Sequence, residues 1–450
     1  MGLYLLLLLL FLLVHVYCKS DIQIGYKVSI SVPTEYKEGF IGRAFLMETN
    51  EMEPNFKTAL SVEAEPINGI GNYSCSLQVF LGDVKVWNSG HYSPFFISDQ
   101  CVLQLTKQGD LQLKGGGLGW RTATFGQGVQ RMQILGTGNL VLLDAFNHIK
   151  WQSFNFPTDV ILWGQRLNVA TLLTSFPTNS TAFYSFEIQQ NKIGLYLNLG
   201  NWNYSYWEFK TSNNTNITFL QLASKGLELF NDRNHKIAQI SNNIQIHKPL
   251  RFLALSNKTG NLGLYFYSPE KGNFEAAFQA LNTSCDLPLA CKPYDICTLS
   301  NTCSCVRFLN KGGDCGEGYS GDFCGGEVGE MLELGGVATV LMPPAPSKIN
   351  ITKEACANLC IQDCKCVAAL YYSSRESCFL YGMAMGAKQV ERGSGMSYMV
   401  KIPKGSRDVA TRKSGLKKWI MIMVGVIDAF IILLFLGCFG YYLLHKLLIY

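Results

Sequence analysis

Residues 21–170 alternate between apolar and polar side chains in short segments that are interrupted by Gly, Asn and Asp. An alternation of period two is typical of half-buried β-strands, and the interruptions are typical of tight turns. In the segment 77–87, two alternating arms flank Gly82 and Asp83, which predicts a hairpin with its turn at these two residues. The first part of the chain is therefore predicted to be all β.

Residues 171–284 continue the same alternation, so strands are predicted there as well. The clearest strand-like runs are 183–188, 193–199 and 262–267. Two Gly-centred turns, Gly109-Asp110 and Gly138-Asn139, each precede a similar strand. This recurrence predicts an internal repeat.

The segment 151–167 reads WQSFNFPTDVILWGQRL, with aromatic and aliphatic residues on both sides of Pro157, Thr158 and Asp159. Short polar side chains and a proline favour a tight turn. The segment is therefore predicted to form a strand, a corner and a second strand.

These residues carry a resemblance to a known family. Together with 135–144, which reads LGTGNLVLLD, the segment 151–167 resembles the closing part of a plant bulb-type (G-type, S-locus-like) lectin domain. The resemblance extends upstream over 85–113, and 250–274 resembles the second, S-locus-glycoprotein-like part of such proteins. It implies a mainly β fold of tandem β-prism domains, each prism made of three sheets.

The amino-terminal residues indicate secretion. Residues 5–14 form an unbroken apolar block that is too short for a comfortable membrane span. Such a block is typical of a signal peptide, here residues 1–20 with cleavage near 18–20, and a buried strand is the alternative. Eight Asn-x-Ser/Thr sequons agree with secretion. They are at Asn72, Asn179, Asn203, Asn213, Asn216, Asn257, Asn282 and Asn350.

The cysteines predict a disulfide framework. Of 16 cysteines, Cys18 lies in the signal peptide and Cys438 in a carboxy-terminal apolar segment, which leaves fourteen. An even set in a secreted chain favours disulfides. Zinc ligation by the Cys-x-Cys pairs is the alternative, and the lack of nearby His partners argues against it. The fourteen are Cys75, Cys101, Cys285, Cys291, Cys297, Cys303, Cys305, Cys315, Cys324, Cys356, Cys360, Cys364, Cys366 and Cys378.

The cysteine spacing between 285 and 305 resembles the EGF-like module that follows the lectin region in S-locus glycoproteins. The resemblance implies a Cys285–Cys297 bridge and a Cys291–Cys303 bridge. It also implies that Cys305 pairs with Cys315 or Cys324. So small a loop-rich unit depends on its bridges because it cannot bury a sufficient core.

Thr352 is a good N-cap, and Cys356 and Cys360 lie four residues apart on one face of the helix that should follow. With 378–381 and 396–403, this region resembles a PAN/apple domain. The resemblance implies bridges Cys356–Cys378 and Cys360–Cys366.

One cysteine is then left over in each of the two modules, and an unpaired thiol is unfavourable in a secreted protein. We therefore expect Cys364 to bridge to Cys315 or Cys324 and lock the modules together. Cys75–Cys101 should be a separate bridge in the lectin domain.

Residues 419–444 are apolar except for Asp428, which is long enough for a membrane helix. With the signal peptide, this predicts a single-pass type I protein of the cell membrane, and a glycolipid-anchor signal is the alternative. Asp428 is expected to contact a membrane partner, because an intramembrane carboxylate usually faces another helix. Gly425 and Ala429 would allow a close approach there.

The chain is therefore divided into eight segments. They are the signal peptide 1–20, bulb-type lectin-like domain 21–170, S-locus-like β domain 171–284, EGF-like module 285–325, PAN/apple domain 326–403, linker 404–418, transmembrane helix 419–444 and cytoplasmic tail 445–450.

Bulb-type lectins bind mannose through a Gln-x-Asp-x-Asn-x-Val-x-Tyr strand, whose polar side chains hydrogen bond to sugar hydroxyls. The matching residues here are Leu135, Thr137, Asn139, Val141 and Leu143. Only Asn139 and Val141 fit the pattern, and these are the candidate ligand-binding residues. We expect a lectin scaffold that has lost its mannose pocket, because apolar side chains cannot pair with sugar hydroxyls.

No catalytic residues, metal ligands or cofactor sites are predicted. The paired acids Glu51/Glu53 and Glu63/Glu65 lie in polar surroundings and are expected to be solvated rather than to form a glycosidase pair. The formal net charge of +5 is small for 450 residues and favours no nucleic-acid partner. Of the tryptophans, Trp120 and Trp151 are expected in the core.

The order of segments resembles the extracellular half of plant G-type lectin receptor kinases, and especially kinase-less PAN-domain relatives. This implies a non-catalytic cell-surface protein that recognises a carbohydrate, glycoprotein or peptide ligand. It would act with a membrane receptor kinase or as a homodimer. A structural or adhesion glycoprotein of the cell wall is the alternative.

Overall fold

A computed structural model describes nine stretches of the chain and part of the carboxy-terminal apolar segment. The stretches are 21–50, 53–67, 70–176, 181–241, 248–306, 323–326, 328–343, 345–391 and 395–404. The described residues are mainly β-strand, as the alternation predicted. The chain divides into two compact units, Met1–Asn282 and Thr283–Tyr450.

The first unit begins with thirteen strands. They are β1 (Asp21–Gln23), β2 (Lys27–Ser31), β3 (Ile41–Glu48), β4 (Phe56–Ile67), β5 (Ile70–Leu81), β6 (Val84–Asn88), β7 (Phe95–Ile97), β8 (Gln100–Leu105), β9 (Leu111–Lys114), β10 (Leu118–Arg121), β11 (Val129–Ile134), β12 (Leu140–Asp144) and β13 (Ile149–Gln152). The predicted turn at Gly82 and Asp83 joins β5 to β6.

These strands form three antiparallel sheets. Their orders are β1-β11-β12-β13, β10-β9-β8-β2 and β3-β4-β5-β6, with β7 paired to β5. The inward-facing apolar residues of all three sheets belong to one core cluster. This arrangement is the three-sheet prism that the family resemblance implied.

Each of the three sheets contributes one tryptophan to the middle of the first prism. Trp87 comes from β6, Trp120 from β10 and Trp151 from β13. The ring centroids of Trp87 lie 6.2 Å from Trp120 and 5.9 Å from Trp151, and those of Trp120 and Trp151 lie 5.9 Å apart. All three contacts are edge-to-face, which is a favourable geometry for aromatic rings. Trp120 and Trp151 thus lie in the core, as expected.

Twelve further strands form a second prism in the same unit. They are β14 (Val160–Leu162), β15 (Arg166–Asn168), β16 (Leu173–Ser175), β17 (Ala182–Gln189), β18 (Lys192–Leu199), β19 (Trp202–Lys210), β20 (Phe219–Ala223), β21 (Gly226–Phe230), β22 (Lys236–Ser241), β23 (Leu250–Leu255), β24 (Leu262–Ser268) and β25 (Asn273–Gln279). Its sheets are β14-β23-β24-β25, β15-β20-β21-β22 and β16-β17-β18-β19.

The strand pairing starts the second prism earlier than the expected boundary at 170. β14 pairs with β23 and β15 pairs with β20, so Val160 already belongs to the second set of sheets. The corner at Pro157-Thr158-Asp159 therefore separates the prisms rather than closing the first one. The indole Nε1 of Trp87 donates a hydrogen bond to the carbonyl of Phe156 at 2.9 Å and holds this corner against the first prism.

The second unit combines the regions expected to form the EGF-like module and the PAN domain. Its elements are β26 (Asp295–Cys297), β27 (Cys303–Cys305), β28 (Gly329–Leu334), β29 (Val337–Thr339), β30 (Lys348–Ile349), α1 (Lys353–Gln362), β31 (Ala368–Tyr372), β32 (Ser377–Tyr381), β33 (Ala387–Gln389) and β34 (Met396–Pro403). One sheet has the order β28-β34-β31-β32-β30 and the other β27-β26-β33-β29. The second sheet contains strands from both regions, so the two do not fold as separate layers.

Helix α1 begins as the sequence predicted. The Thr352 side chain accepts a hydrogen bond from the backbone N–H of Ala355, and Cys356 and Cys360 face inward, fully buried. Both cysteines are bonded, to Cys378 and Cys366 respectively. The helix is thereby fastened to the five-stranded sheet.

Six disulfides lie among the described residues. Four are the pairs that the resemblance implied, Cys285–Cys297, Cys291–Cys303, Cys356–Cys378 and Cys360–Cys366, and a fifth, Cys75–Cys101, is the separate lectin bridge that was expected. The sixth joins Cys324 to Cys364, which selects Cys324 from the two partners considered for Cys364. Cys305 is also disulfide-bonded, whereas Cys315 lies outside the described residues.

Several expectations concern the two ends of the chain. The signal peptide 1–20, the tail 445–450 and Asp428 lie outside the described residues. Parts of 419–444 are described and are helical there. Within the described residues, no helix has the length and apolar character needed to cross a membrane.

Lys401, on β34, is a buried cation in the second unit. Its residue is only 2% exposed. The ammonium donates hydrogen bonds to the carbonyls of Cys360, Asp363 and Cys366 at 3.0, 3.1 and 3.3 Å, and lies 4.9 Å from the centroid of the Phe323 ring. Burial lowers the pKa of Lys401, and the Asp363 carboxylate partly offsets this effect. One side chain therefore joins the end of α1, the following loop and the 323–326 turn.

We expect Lys401→Met to destabilise the second unit by about 1–3 kcal/mol or more, because it leaves buried carbonyls without a donor. Thermal unfolding of the full chain, with hydrogen exchange to localise the loss to 353–402, measures the effect. Lys365→Met is the matched control, since Lys365 is exposed. Equal protection in the two variants would contradict the stabilising role of Lys401.

Candidate functional site

Asn139 and Val141, the two residues that fit the mannose pattern, both point away from solvent. Asn139 is 5% exposed, and its Nδ2 donates to Gln152 Oε1 at 2.8 Å. Its Oδ1 accepts hydrogen bonds from Ser153 Oγ and the Phe154 backbone N–H, each at 3.3 Å. Val141 is fully buried. Asn139 therefore holds the start of β12 against the 152–154 turn instead of presenting its amide to a ligand.

The earlier repeat uses Asp110 in the same way. Asp110 is 1% exposed, and its Oδ1 accepts from the Thr124 N–H at 3.0 Å and from Thr122 Oγ1 at 3.2 Å. Its Oδ2 accepts from Gln112 Nε2 at 2.8 Å. In both repeats, the polar residue at the turn therefore forms hydrogen bonds within the domain.

A polar cleft lies directly beside the Asn139–Gln152 hydrogen bond. Its volume is about 470 Å³. One wall comes from the corner after β13 and the other from β15 and the loop that follows it. The lining includes Gln152, Phe154, Asn155, Arg166, Asn168 and Thr171. The sequence predicted a corner within 151–167. The cleft was not predicted, because it depends on where the second prism begins.

Arg166 is the charged residue among those that line the cleft. Its Nε donates a hydrogen bond to Gln221 Oε1 at 3.2 Å, and its guanidinium carbon lies 4.6 Å from the centroid of the Phe219 ring. Within the described part of the chain, no carboxylate lies within 4.0 Å of its nitrogens. The guanidinium is therefore oriented by its neighbours, and its charge is not neutralised.

Two half-exposed aromatic residues adjoin the lining residues along the chain. Phe156 is 51% exposed and stacks on Trp151 with ring centroids 5.7 Å apart, whereas Trp163 is 45% exposed. Exposed aromatic rings beside polar groups suit ligands that have both apolar and polar faces.

The paired acids are not an open catalytic pair. Glu51 lies outside the described residues and Glu53 is exposed. Glu63, expected to be solvated, is instead half-buried and paired with Arg43 at 3.3 Å and with Lys85 at 3.6 Å. Although burial alone raises it, Lys85 and hydrogen bonds from Gln78 and Arg43 hold the pKa of Glu63 below its usual value. This carboxylate is therefore committed to structural ion pairs.

The remaining candidate sites are metal-binding clusters and glycosylation sequons. Among the described residues, no group of three His, Cys, Asp or Glu side chains could hold a metal ion. Of the sequons, Asn216, Asn257, Asn282 and Asn350 are exposed and can carry glycans. Asn72 and Asn203 are half-buried, and Asn203 donates to Asn198 Oδ1 at 2.6 Å. Asn179 and the side chain of Asn213 lie outside the described residues.

Two families match separate parts of the chain. The family described as D-mannose binding lectin matches residues 85–182, and the PAN domain family matches residues 338–402. The chain contains a bulb-type lectin domain and a PAN domain. The EGF-like assignment of 285–325 stays a prediction.

The similar proteins include plant receptor kinases and glycoproteins. A G-type lectin S-receptor-like serine/threonine-protein kinase of Arabidopsis thaliana is 26% identical over 85% of this chain and 45% of its own length. A PAN domain-containing protein of the same plant is 24% identical over 58% of this chain and 55% of its own length. An S-locus-specific glycoprotein of Brassica oleracea var. alboglabra is 27% identical over 52% of this chain and 59% of its own length. The chain spans about half the length of these curated relatives.

His91 provides a contact between the two prisms beside the cleft. Its Nε2 donates to the Thr174 carbonyl at 2.9 Å, and the hydroxyl of neighbouring Tyr92 donates to the Pro157 carbonyl at 2.8 Å. Burial lowers the pKa of His91, and the nearby Asp159 carboxylate partly offsets this shift. The folded lectin domain thus favours the neutral ring.

The unfolded chain binds a proton on His91 at higher pH than the folded chain does. The contribution of the neutral His91 to the free energy of unfolding is therefore fully present above about pH 6.5. This contribution is lost as the pH falls through that value toward the lowered pKa. His91→Gln, which can still donate to Thr174, should reduce the loss of thermal stability between about pH 7 and pH 5. His235→Gln, at an exposed histidine, is the control, and the same pH dependence in both variants would contradict this role.

We also expect the full chain to show no appreciable retention on mannose-agarose. The side chain of Asn139 forms hydrogen bonds within the domain, and the apolar Leu143 occupies the position at which the pattern has a tyrosine hydroxyl. A mannose-binding bulb lectin run on the same column is the positive control. Retention of the chain followed by elution with free mannose would refute the loss of this pocket.

Proposed function

We propose that this chain is a non-catalytic, receptor-like glycoprotein that recognises a glycan or a glycoprotein outside the cell. The observation that carries the proposal is the combination of a lectin domain and a PAN domain in one chain, similar over 85% of its length to a receptor-type kinase. A peptide ligand fits the same architecture less well, because the lectin scaffold is the larger part.

The lectin domain supports recognition at a place other than the mannose-pattern strand. In both repeats, the polar residue at the turn forms hydrogen bonds within the domain. The adjoining cleft, by contrast, is open and polar. Concave sites with a few convergent polar groups are the usual form of small-ligand sites.

The second proposed component is a membrane partner. The apolar segment 419–444 and the signal-like residues 1–20 are the basis for a single-pass type I placement. In that placement Asp428 would lie near the middle of the bilayer, where carboxylates usually face another helix. A receptor kinase with a basic or hydroxyl-bearing residue in its membrane helix would be a suitable partner, and a homodimer is the other form of pairing.

An adhesion glycoprotein of the cell wall is the second candidate. The exposed sequons at Asn216, Asn257, Asn282 and Asn350 favour it, because glycans there would coat much of the surface. An adhesion protein would bind wall polymers weakly at many places, whereas a receptor would bind a defined ligand saturably.

The experiment that separates these functions applies the full chain, kept soluble with mild detergent, to an array of wall oligosaccharides and glycoprotein glycans. The receptor-like function predicts saturable binding to a small set of related glycans, with competition by the free glycan. Binding that rises without saturation on many wall polymers would favour adhesion. No binding to any saccharide or glycoprotein would contradict both functions.

For the membrane partner, Asp428→Leu should reduce the recovery of receptor kinases that co-precipitate with the full chain from detergent. The expected reason is loss of the one charged residue in the segment 419–444. Ile427→Leu, the neighbouring position, is the matched control. Recovery of the same kinases in equal amounts with wild type and Asp428→Leu would show that the carboxylate is not the contact.

A further inference from the structure

We propose that the cleft between the two prisms binds a short acidic saccharide and that Arg166 receives its carboxylate. The inference rests on the proposed recognition of glycans and specifies the ligand class and the residue that selects it. Its three supports are the uncompensated charge of Arg166, the way this side chain is held, and the free amide groups around it.

The charge is the first support. Two arginines of the first unit have carboxylate partners, Arg43 with Glu63 at 3.3 Å and Arg131 with Asp21 at 3.9 Å. Arg166 has none within salt-bridge distance in the described residues, and no Asp or Glu is among the residues that line the cleft. The cleft therefore presents an unopposed positive charge, and a guanidinium matches the planar fork of a carboxylate.

The second support is preorganisation. Arg166 lies on β15 directly opposite Gln221 on β20, and the hydrogen bond from its Nε follows this cross-strand pairing. The ring of Phe219 lies under the guanidinium at 4.6 Å. Because Nε is the atom used by Gln221, the two terminal nitrogens stay available for a bidentate contact. A side chain that is already oriented loses less conformational entropy on binding.

The third support is a set of unused polar groups of the kind that sugar hydroxyls require. The Asn155 Oδ1 accepts from Gln152 Nε2 at 3.0 Å, but its own NH₂ group donates to no described residue. The side-chain amide of Asn168 likewise makes no hydrogen bond within the described chain, although its backbone N–H bonds to Thr171 Oγ1 at 3.1 Å. Amides both donate and accept, which suits hydroxyl groups.

The size and borders of the cleft agree with a saccharide. Its volume of about 470 Å³ lies within the range of about 300–1,000 Å³ that is common for small-ligand sites. Phe156 and Trp163, each about half exposed, are sequence neighbours of lining residues, and exposed aromatic rings suit the apolar face of a pyranose. A neutral sugar would leave the guanidinium without a counter-charge, so a uronic acid fits the groups present better.

The test measures binding of a short galacturonic acid oligomer to the full chain by calorimetry, with its methyl ester and the neutral galactose oligomer as comparison ligands. We expect the acid to bind about tenfold or more tightly than either comparison ligand, which corresponds to one charge-assisted hydrogen-bonded contact. Raising the salt concentration should weaken binding of the acid and leave the neutral oligomer unaffected.

Three variants locate the contact. Arg166→Gln should remove the preference for the acid, and Arg166→Lys should keep part of it, because the charge remains while the fork is lost. Arg233→Gln, at an exposed arginine in a turn of the second prism, is the matched control and should leave the preference unchanged. Unchanged thermal unfolding of the Arg166 variants establishes that they are folded.

The outcomes separate this inference from the proposed function. Equal binding of acidic and neutral oligomers, or an acid preference that survives in Arg166→Gln, overturns the inference and leaves glycan recognition intact. Inorganic phosphate bound as tightly as the acidic oligomer, and lost with Arg166, identifies a general anion site and also overturns it. Failure of every saccharide to bind, here and on the array, removes the proposed function itself.

Discussion

The contact among Trp87, Trp120 and Trp151 is the interaction on which the lectin half depends. Each ring comes from a different sheet, so this contact joins the three sheets in the middle of the prism. Trp87 then extends the constraint beyond the prism, because its indole N–H holds the Phe156 carbonyl. The corner that starts the second prism, and with it one wall of the cleft, is positioned by a core residue.

The two turn residues that precede similar strands, Asp110 and Asn139, also serve the fold. In both repeats the polar residue at the turn bonds to neighbouring turns, where Asn139 holds 152–154 and Asp110 holds 122–124. These buried groups form hydrogen bonds within the prism and do not face solvent. The shape of the scaffold is therefore poor evidence for its ligand, and the exposed groups are the better guide.

Features set by neighbouring residues could be predicted from the sequence, and features set by distant pairing could not. The turn at Gly82 and Asp83 and the Thr352 cap follow from local alternation and hydrogen bonding. The pairing of β15 with β20 is non-local, so neither the start of the second prism nor the cleft could be predicted. That Arg166 lacks a carboxylate partner likewise depends on which strands become its neighbours.

The most direct test of the account is hydrogen exchange of the full chain with and without a saturating glycan identified on the array. The account predicts new protection in peptides covering 152–171, where the cleft lies, and little change in 135–144. New protection confined to 135–144 would contradict it, because the ligand would then occupy the strand at which the Asn139 side chain is buried and hydrogen-bonded within the domain.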